Sequence, residues 1–253
     1  MLVRTIAETL SKNLVFRRTF SGRFRRTRIY VSPEGGLRYW RLNVEKADPI
    51  LLAAAEHLVK PGAVVWDIGA NVGLFSMAAA ALAGPEGTVV SVDADEWLTA
   101  LVSRSIEMNG ARIAPVRQLT AAISNSEGVA EFCIARRARS SSYLQGFGTS
   151  QTGGSREVRS VPTRTLDSLA QSFPAPQVLK IDVEGAEELV LRGGAGVIAT
   201  ARPAIFCEVG SENIKAVTRL LTAQGYRLFD ASAGFANPKP VRQAVWNTLA
   251  LPN

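Results

Sequence analysis

The amino-acid sequence predicts an α/β domain in which buried parallel strands alternate with helices. The clearest observation is the stretch 64–76, where a short apolar run ends at glycines and an alanine-rich helical pattern begins. Two further apolar runs, 177–182 and 202–209, end near carboxylates. Continuous apolar runs are typical of strands that are covered on both faces of a parallel sheet. The length of 253 residues suffices for one such domain with a sizeable core.

The composition predicts a soluble protein of a reducing compartment. Hydrophobic residues make up 47% of the chain, and no apolar run approaches the roughly 20 residues that a membrane span needs. The first ten residues lack the apolar centre and cleavage site of a secretory signal. The two cysteines, Cys133 and Cys207, make no disulfide framework. We therefore expect a cytoplasmic protein.

The net charge of +7 is concentrated at the N-terminus. Ten arginines and lysines but only two glutamates lie in residues 1–41, so the rest of the chain is close to neutral. This basic arm is either a solvated face or a contact for an anionic surface such as an acidic glycan, a membrane or a nucleic acid. In the segment 28–42, apolar and polar residues alternate on both sides of a Pro-Glu-Gly-Gly turn, which predicts a β-hairpin. We expect the core to begin near this hairpin. We expect residues 1–47 to form this arm and hairpin appendage, and residues 48–253 to form the main domain.

Residues 48–60 predict a helix that leads into the first central strand. Asp48 is placed to cap it, Pro49 suits its first turn, and Pro61 with the following glycine ends it. The only histidine, His57, lies inside this helix and upstream of every candidate loop. It therefore predicts a packed or surface histidine rather than a catalytic base.

The glycine loop 69–73 indicates which nucleotide the protein binds. Leu74 stands where the dinucleotide fingerprint requires its third glycine, and no Gly-Lys-Ser/Thr phosphate loop is present. The next strand, 87–93, ends at Asp93, which at this position can accept hydrogen bonds from both ribose hydroxyls or cap the following helix. The pattern predicts a nucleoside ligand without phosphates, and S-adenosylmethionine is the obvious candidate.

The middle of the chain predicts two more strands and an irregular segment. The strands are expected at 114–124 and 129–135. The following residues, 138–155, are rich in serine and glycine and predict a mobile loop. Such a loop is either a lid over a ligand or a disordered hairpin tip.

A second informative stretch is the strand that ends in Lys180-Ile-Asp182. Strand alternation places Lys180 and Asp182 on one side, and Glu184 with the next glycine is expected to open a helix. A lysine in a buried strand is unfavourable unless it is paired, so Lys180 is expected to pair with Asp182 or Glu208. Such a pair is either structural or part of an active site.

These motifs together resemble the FkbM family of S-adenosylmethionine-dependent methyltransferases. The resemblance is carried by Trp66-Asp-Ile-Gly-Ala-Asn-Val-Gly-Leu-Phe-Ser76, Thr165-Leu-Asp-Ser-Leu169, Leu179-Lys-Ile-Asp-Val-Glu-Gly-Ala-Glu187 with Leu191-Arg-Gly193, and Arg202-Pro-Ala-Ile-Phe-Cys-Glu-Val209. One departure is the segment 91–95, where the family often has an aromatic residue followed by Glu-Pro. The resemblance implies a Rossmann-like class I methyltransferase fold, with a seven-stranded, mostly parallel sheet and helices on both faces. Its last two strands would be 226–230 and an antiparallel 246–251.

The resemblance also implies O-methylation of a hydroxyl on a sugar, glycan or natural-product acceptor. Amide and nucleobase amine methyltransferases resemble one another in an Asn/Asp-Pro-Pro-aromatic run, and this chain instead has Asp182-Val-Glu-Gly. Cys207 follows a phenylalanine, so it does not form the Pro-Cys pair of cytosine C5 chemistry. An alkyl hydroxyl is scarcely ionised at neutral pH and benefits from a positioned base. The expected catalytic residues are Asp182, Glu184 and Lys180.

The expected contacts to S-adenosylmethionine all come from the first two strand ends. They are Asp67, Gly69, Ala70, Asn71, Gly73, Asp93 and Ala94. No residue spacing calls for a metal ion. Two alternatives stay open: an RNA or protein methyltransferase that uses the basic arm, and a noncatalytic or nicotinamide-binding Rossmann protein.

Overall fold

The computed structural model describes residues 13–148 and 153–253, which form strands and helices in alternation. The strands are β1 (Phe16–Thr19), β2 (Arg28–Val31), β3 (Val64–Ile68), β4 (Thr88–Asp93), β5 (Val116–Thr120), β6 (Ala122–Ile123), β7 (Gly128–Ala135), β8 (Tyr143–Leu144), β9 (Ser155–Arg164), β10 (Val178–Ile181), β11 (Ala204–Glu208), β12 (Tyr226–Asp230), β13 (Lys239–Val241) and β14 (Asn247–Pro252). The helices are α1 (Pro49–Leu58), α2 (Leu74–Ala83), α3 (Glu96–Asn109), α4 (Leu166–Leu169), α5 (Glu187–Arg192), α6 (Ala195–Ala201) and α7 (Ile214–Ala223).

The main sheet has the strand order β13-β12-β14-β11-β10-β3-β4-β5. β3 lies at the centre, with β4 and β5 parallel to it on one side and β10 and β11 parallel on the other. β14 is antiparallel to both β11 and β12. The Rossmann-like α/β fold expected from the sequence is confirmed, and the short edge strand β13 adds an eighth strand to the expected seven. The chain adds β4 and β5 on one side of β3 and later adds β10 and β11 on the other, so the strand order reverses between β3 and β10. Ligands bind at this reversal point in doubly wound folds.

Strand alternation divides the core into two layers. In β3, Val65 contributes to the apolar cluster that packs against α1, α2 and α3, while Trp66 contributes to the cluster on the opposite face. That opposite face is covered by α4 to α7. Helices on both faces leave the carboxyl ends of the parallel strands as the open edge for a ligand.

Helix α1 has the boundaries that its sequence predicts. The Asp48 side chain accepts a hydrogen bond from the backbone N–H of Leu51 at 3.0 Å, and Pro49 is the first helical residue. His57 is exposed near the end of this helix, 5.7 Å from the ring of Phe235. Of the packed and the surface positions that the sequence left open for this histidine, the structure shows the surface one.

The described part of the N-terminal segment, from residue 13 to residue 27, packs on the core and is not an arm outside it. Phe20 and Phe24 are buried against the cluster that contains α1 and α2. The core therefore begins upstream of residue 28, contrary to the sequence-based expectation. The division of the chain at residues 47 and 48 stays a prediction, and the part of the basic arm in residues 1–12 lies outside the described residues.

The hairpin predicted within 28–42 is wrong in its second strand. β2 pairs instead with the upstream strand β1, with Arg17 opposite Tyr30. The residues that follow form short 3₁₀ turns, Pro33–Gly35 and Leu37–Trp40. Tyr39 in the second turn is buried in the core, and burial of this side chain stabilises the turn over an exposed strand.

Two other sequence-based boundaries need correction. The strand expected at 114–124 is interrupted, since β5 belongs to the main sheet whereas β6 pairs with β9 in a smaller sheet of order β6-β9-β7-β8. Glu184 does not open a helix, because its φ is +51° and α5 begins only at Glu187. Among residues 13–148 and 153–253, no helix combines the length and the apolar composition that crossing a membrane requires.

Candidate active site

The loops that follow β3 and β10 touch each other at the open edge of the sheet. These strands pair in parallel, with Asp67 opposite Lys180 and Ile68 opposite Ile181. Gly69 has a φ of +75°, and a Cβ at this position would lie 1.7 Å from the carbonyl oxygen of Asp182. Only glycine fits here, so the glycine loop and the Asp182 loop form one continuous surface.

Lys180 lies beneath this surface and connects the two loops. Its Nζ is 3.1 Å from Asp67 Oδ1 and 3.6 Å from Asp182 Oδ2, and it donates a hydrogen bond to the carbonyl of Gly69. Asp67 also accepts a hydrogen bond of 2.6 Å from the Ser76 hydroxyl. Burial lowers the pKa of Lys180, but the charges of Asp67 and Asp182 outweigh burial and raise that pKa above its ordinary value. The sequence left the partner of Lys180 open between Asp182 and Glu208, and its shortest ion pair is with Asp67.

Asp93 is held at the end of β4 by two backbone amides. The N–H of Asn71 donates to Asp93 Oδ2 at 2.7 Å, and the N–H of Asp95 donates to Asp93 Oδ1 at 2.8 Å. Burial raises the pKa of Asp93 to about 7, and the two amides oppose that rise. The helix cap expected as the alternative role of Asp93 is supplied instead by Asp95, which accepts from the N–H of Trp97.

A first cavity, of about 590 Å³ counted out to its open mouth, lies above these strand ends. Six of the residues expected at the site line it: Gly69, Asn71, Asp93, Ala94, Asp182 and Glu184. Its inner wall is apolar and is formed by Leu98, Ala121, Ala122, Ile123, Phe132 and Leu144. Four expected residues, namely Asp67, Ala70, Gly73 and Lys180, do not line this cavity.

A second cavity, of about 1190 Å³ counted in the same way, opens beside the first. The two cavities share Asp182 and Glu184. Five carboxylates line the second cavity: Asp182, Glu184, Glu187, Glu208 and Glu212. Trp246, which is 55% exposed, and Phe147 supply its aromatic surface.

A known protein family matches most of the sequence. The profile described as "Methyltransferase FkbM domain" matches residues 67–228. The chain belongs to the FkbM methyltransferase family. S-adenosylmethionine is therefore its cofactor. The residues of the first cavity suit this cofactor, because Asp93 presents a carboxylate to the cavity beside its apolar wall.

Several solved structures are similar to this chain at low identity. An FkbM methyltransferase from Methylobacillus flagellatus is 12% identical with a TM-score of 0.49; the match covers 86% of this chain and 57% of that one. A precorrin-6Y C5,15-methyltransferase from Geobacter metallireducens is 12% identical with a TM-score of 0.44, covering 80% and 87%. A tRNA (uracil-54, C5)-methyltransferase from Pyrococcus abyssi is 14% identical with a TM-score of 0.46, covering 94% and 43%. These values are too low to transfer a substrate, and no curated protein matches the chain.

The acidic side chains of this FkbM methyltransferase repel one another. Burial, with the charge of Asp182, raises the pKa of Glu184 to about 8. The charge of Asp182, with burial, raises the pKa of Glu208 to about 8 as well. Glu187 is buried behind them, where it accepts hydrogen bonds from the N–H of Gly185 and the side chain of Asn213. The described residues contain no group of three or more His, Cys, Asp or Glu side chains arranged to hold a metal ion.

The segment expected to be a mobile loop contributes to both cavities. Arg139, Ser140 and Ser142 line the first cavity, and Phe147 lines the second. Residues 149–152 of this segment lie outside the described residues. The Arg139 side chain is only 9% exposed because it forms ion pairs with Asp95 and Glu34.

Sequence reasoning missed Arg139 and the N-terminal turn that it contacts. The side-chain Nδ2 of Asn71 donates to the carbonyl of Gly35 at 2.9 Å, which places the turn Pro33–Gly35 directly on the glycine loop. No local signal distinguishes Arg139 from the neighbouring Arg136 and Arg137. Its partners are 44 and more residues away along the chain, so only the folded structure reveals them.

Proposed function

We propose that the protein is an S-adenosylmethionine-dependent O-methyltransferase that acts on a hydroxyl of a sugar, glycan or natural-product acceptor. The observation that carries the proposal is that two cavities meet at Asp182 and Glu184. The first cavity contains the glycine loop and would hold the cofactor. The second would hold the acceptor, so that the two carboxylates lie where the acceptor hydroxyl meets the methyl group.

The walls of the first cavity suit the chemical parts of an adenosine. Asp93 would accept hydrogen bonds from the ribose hydroxyls, since a carboxylate oxygen that already accepts one amide keeps a further lone pair. The apolar wall that includes Leu98, Ile123 and Phe132 suits the adenine base. Asp67 and Lys180 would act from beneath the loop by holding the Gly69 carbonyl in place.

The carboxylates at the junction suit the proton transfer that methylation of a hydroxyl requires. Bound S-adenosylmethionine supplies an electrophilic methyl group on a sulfonium, and the products are S-adenosylhomocysteine, a methyl ether and one proton. Asp182 or Glu184 would accept this proton from the acceptor hydroxyl. Glu184 suits a base near neutral pH because its pKa is raised to about 8 by burial and by Asp182.

The second cavity favours a neutral or cationic acceptor rather than a polyanion. Its acidic lining would repel the phosphates of a nucleic acid, and most strongly once Glu184 and Glu208 ionise near pH 8. The exposed ring of Trp246 offers an apolar face on which a sugar ring can stack. The same negative lining argues against the alternative of an RNA methyltransferase, despite exposed arginines such as Arg17 and Arg25 in the N-terminal segment.

A reducing cytoplasm remains our proposal for the compartment. Cys133 and Cys207 are both free and buried, in strands β7 and β11 of different sheets. Burial raises the pKa of Cys207, which makes its thiol a poor nucleophile at neutral pH.

The proposal is tested by following S-adenosylhomocysteine formation with a panel of acceptors. Neutral sugars, amino sugars and polyol natural products form one group, and transfer RNA and a basic protein form the other. We expect product only with members of the first group. Product with RNA alone would overturn the acceptor class, and binding of NAD in preference to S-adenosylhomocysteine in calorimetry would overturn the cofactor site.

A further inference from the structure

The N-terminal turn Pro33–Gly35 is connected to both residues whose backbone amides hold Asp93, directly to one and through Arg139 to the other. Asn71 is one of these residues, and its side chain donates to the carbonyl of Gly35 at 2.9 Å. Asp95 is the other, and it is connected to the same turn through Arg139 and Glu34. One short turn therefore supports the carboxylate from both sides.

Arg139 is held in a single geometry. Its Nη1 donates to both oxygens of Asp95, at 2.9 and 2.6 Å, and its guanidinium lies 4.9 Å from the ring centre of Trp97. A guanidinium that is both bonded to a carboxylate and stacked on a ring has little freedom to move. Asp95 is 1% exposed, so its charge requires this partner. Arg139 thus fixes the residue whose N–H donates to Asp93.

Glu34 connects Arg139 to the turn. Its Oε2 lies 3.6 Å from Arg139 Nε, and its Oε1 lies 2.9 Å from Arg156 Nη2. Glu34 Oε2 and Arg139 Nε are both buried and have no hydrogen-bond partner among the described residues, because the 3.6 Å between them exceeds the usual N–H···O distance. The two atoms face each other, and a shift of a few tenths of an ångström would join them.

Gly35 makes the contact with the glycine loop tight. A Cβ at this position would lie 2.7 Å from Val72 Cγ1 and 2.8 Å from Asn71 Oδ1. The turn therefore cannot move toward Asn71, and the Glu34 pair with Arg139 and Arg156 keeps it from moving away. Both amides that orient Asp93 depend on this placement.

We propose that Glu34 and Arg139 are positioning residues for the cofactor: they fix the Asn71 and Asp95 amides, orient the Asp93 carboxylate, and so set the affinity for S-adenosylmethionine. The inference rests on the proposed function, in which Asp93 binds the ribose. It assigns a part in cofactor binding to the N-terminal segment, which lies outside the matched residues 67–228. Glu34 acts only through other residues, whereas Arg139 also lines the first cavity.

The test uses the full chain with Glu34→Gln and Arg139→Lys, each measured by calorimetry with S-adenosylhomocysteine between pH 6 and 9. The matched control is Arg159→Gln, since Arg159 pairs with Glu96 of the same helix as Asp95 but is not among the cavity residues. We expect both variants to weaken binding about 3- to 20-fold, less than direct loss of the Asp93 carboxylate. The control should bind as the wild type does.

The pH dependence separates positioning from a merely structural role. The groups facing Asp93 are the amides of Asn71 and Asp95 and the charges of Asp95 and Lys180. A weakened amide favours the protonated carboxyl, so the midpoint of the pH dependence of binding should rise in both variants. A lower melting temperature with unchanged affinity and unchanged midpoint would overturn the proposal.

The Asp93→Asn variant distinguishes a failure of the positioning role from a failure of the proposed ribose site. If Asp93→Asn weakens binding while Glu34→Gln does not, the positioning role is wrong and the ribose site stands. If Asp93→Asn binds as the wild type does, the ribose site itself is wrong. Should Arg139→Lys fail to fold, Glu34→Gln decides alone, because it leaves the Arg139–Asp95 pair intact.

Discussion

The ammonium group of Lys180 lies 3.1 Å from the carboxylate of Asp67, and these two side chains are only 2% and 0% exposed. A buried ion pair is not by itself a source of stability, but loss of one partner leaves an uncompensated charge in the core. The fold beneath the glycine loop therefore requires both members of this pair.

We expect Lys180→Met to destabilise the protein by about 3 to 5 kcal/mol, because Asp67 would stay buried without its cation. Urea unfolding measures this free energy. The control is Arg192→Met, which removes an exposed pair with Glu188 and should change stability by less than about 1 kcal/mol. A similar loss of unfolding free energy in the two variants would show that the buried pair matters no more to stability than the exposed one.

The Asp93 carboxylate should contribute directly to cofactor affinity. We expect Asp93→Asn to weaken S-adenosylhomocysteine binding by about 1.5 to 3 kcal/mol, the range for a hydrogen bond to a charged group. Calorimetry measures the loss, and NAD should not bind either protein. Asp230→Asn is the control, since Asp230 also ends a strand and accepts from a nearby N–H but does not line the cavity. Wild-type affinity in Asp93→Asn would move the ribose site elsewhere.

The carboxylates shared by the two cavities should act in turnover rather than in cofactor binding. We expect Asp182→Asn and Glu184→Gln each to lower turnover by about 10²- to 10⁴-fold, the usual contribution of a general base. Affinity for S-adenosylhomocysteine should change little. Glu188→Gln is the control, because Glu188 lines neither cavity and should leave turnover unchanged.

A structural role for these two acids predicts a different result. If Asp182 and Glu184 merely anchor Lys180 and the loop, both variants should melt at lower temperature and lose activity only in proportion. That outcome would refute the catalytic assignment.

The crowded carboxylates should make stability depend on pH. The repulsion of Asp182, with burial, raises the pKa of Glu208 in the folded state to about 8, above the roughly 4.3 of an unfolded glutamate. The folded state therefore binds the proton more tightly, and stability falls as pH rises from about 4.3 to about 8. We expect Glu208→Gln to raise the melting temperature more at pH 8 than at pH 5. Glu127→Gln, which changes an exposed carboxylate, should show no such difference.

The central elements could be predicted from the sequence because their signals are local. The apolar run of β3, the glycines of the loop and the cap at Asp48 each act within a few residues. The carboxylate at the end of β4 was predictable for the same reason. The family that the motifs of the sequence suggested is confirmed over residues 67–228.

The remaining features depend on which segments meet in space. The alternation of apolar and polar residues within 28–42 predicts strands but does not identify the strand with which each one pairs. β2 pairs with the upstream strand β1, because Phe20 and Phe24 bring that segment into the core. Lys180 was expected to pair with Asp182 or Glu208. It does pair with Asp182 at 3.6 Å, but its shorter ion pair is with Asp67, which is more than 100 residues earlier. No feature of the sequence around Arg139 indicated that this arginine would be buried against Asp95 and Glu34. Each of these contacts depends on the tertiary fold rather than on sequence spacing.

A crystal structure with S-adenosylhomocysteine would locate the ribose, the adenine and the sulfur in a single measurement. We expect the ribose hydroxyls to bind Asp93, the adenine to lie against the apolar wall, and the sulfur to face the junction formed by Asp182 and Glu184. A complex with the ribose away from Asp93, or with both carboxylates turned away from the sulfur, would contradict this expectation.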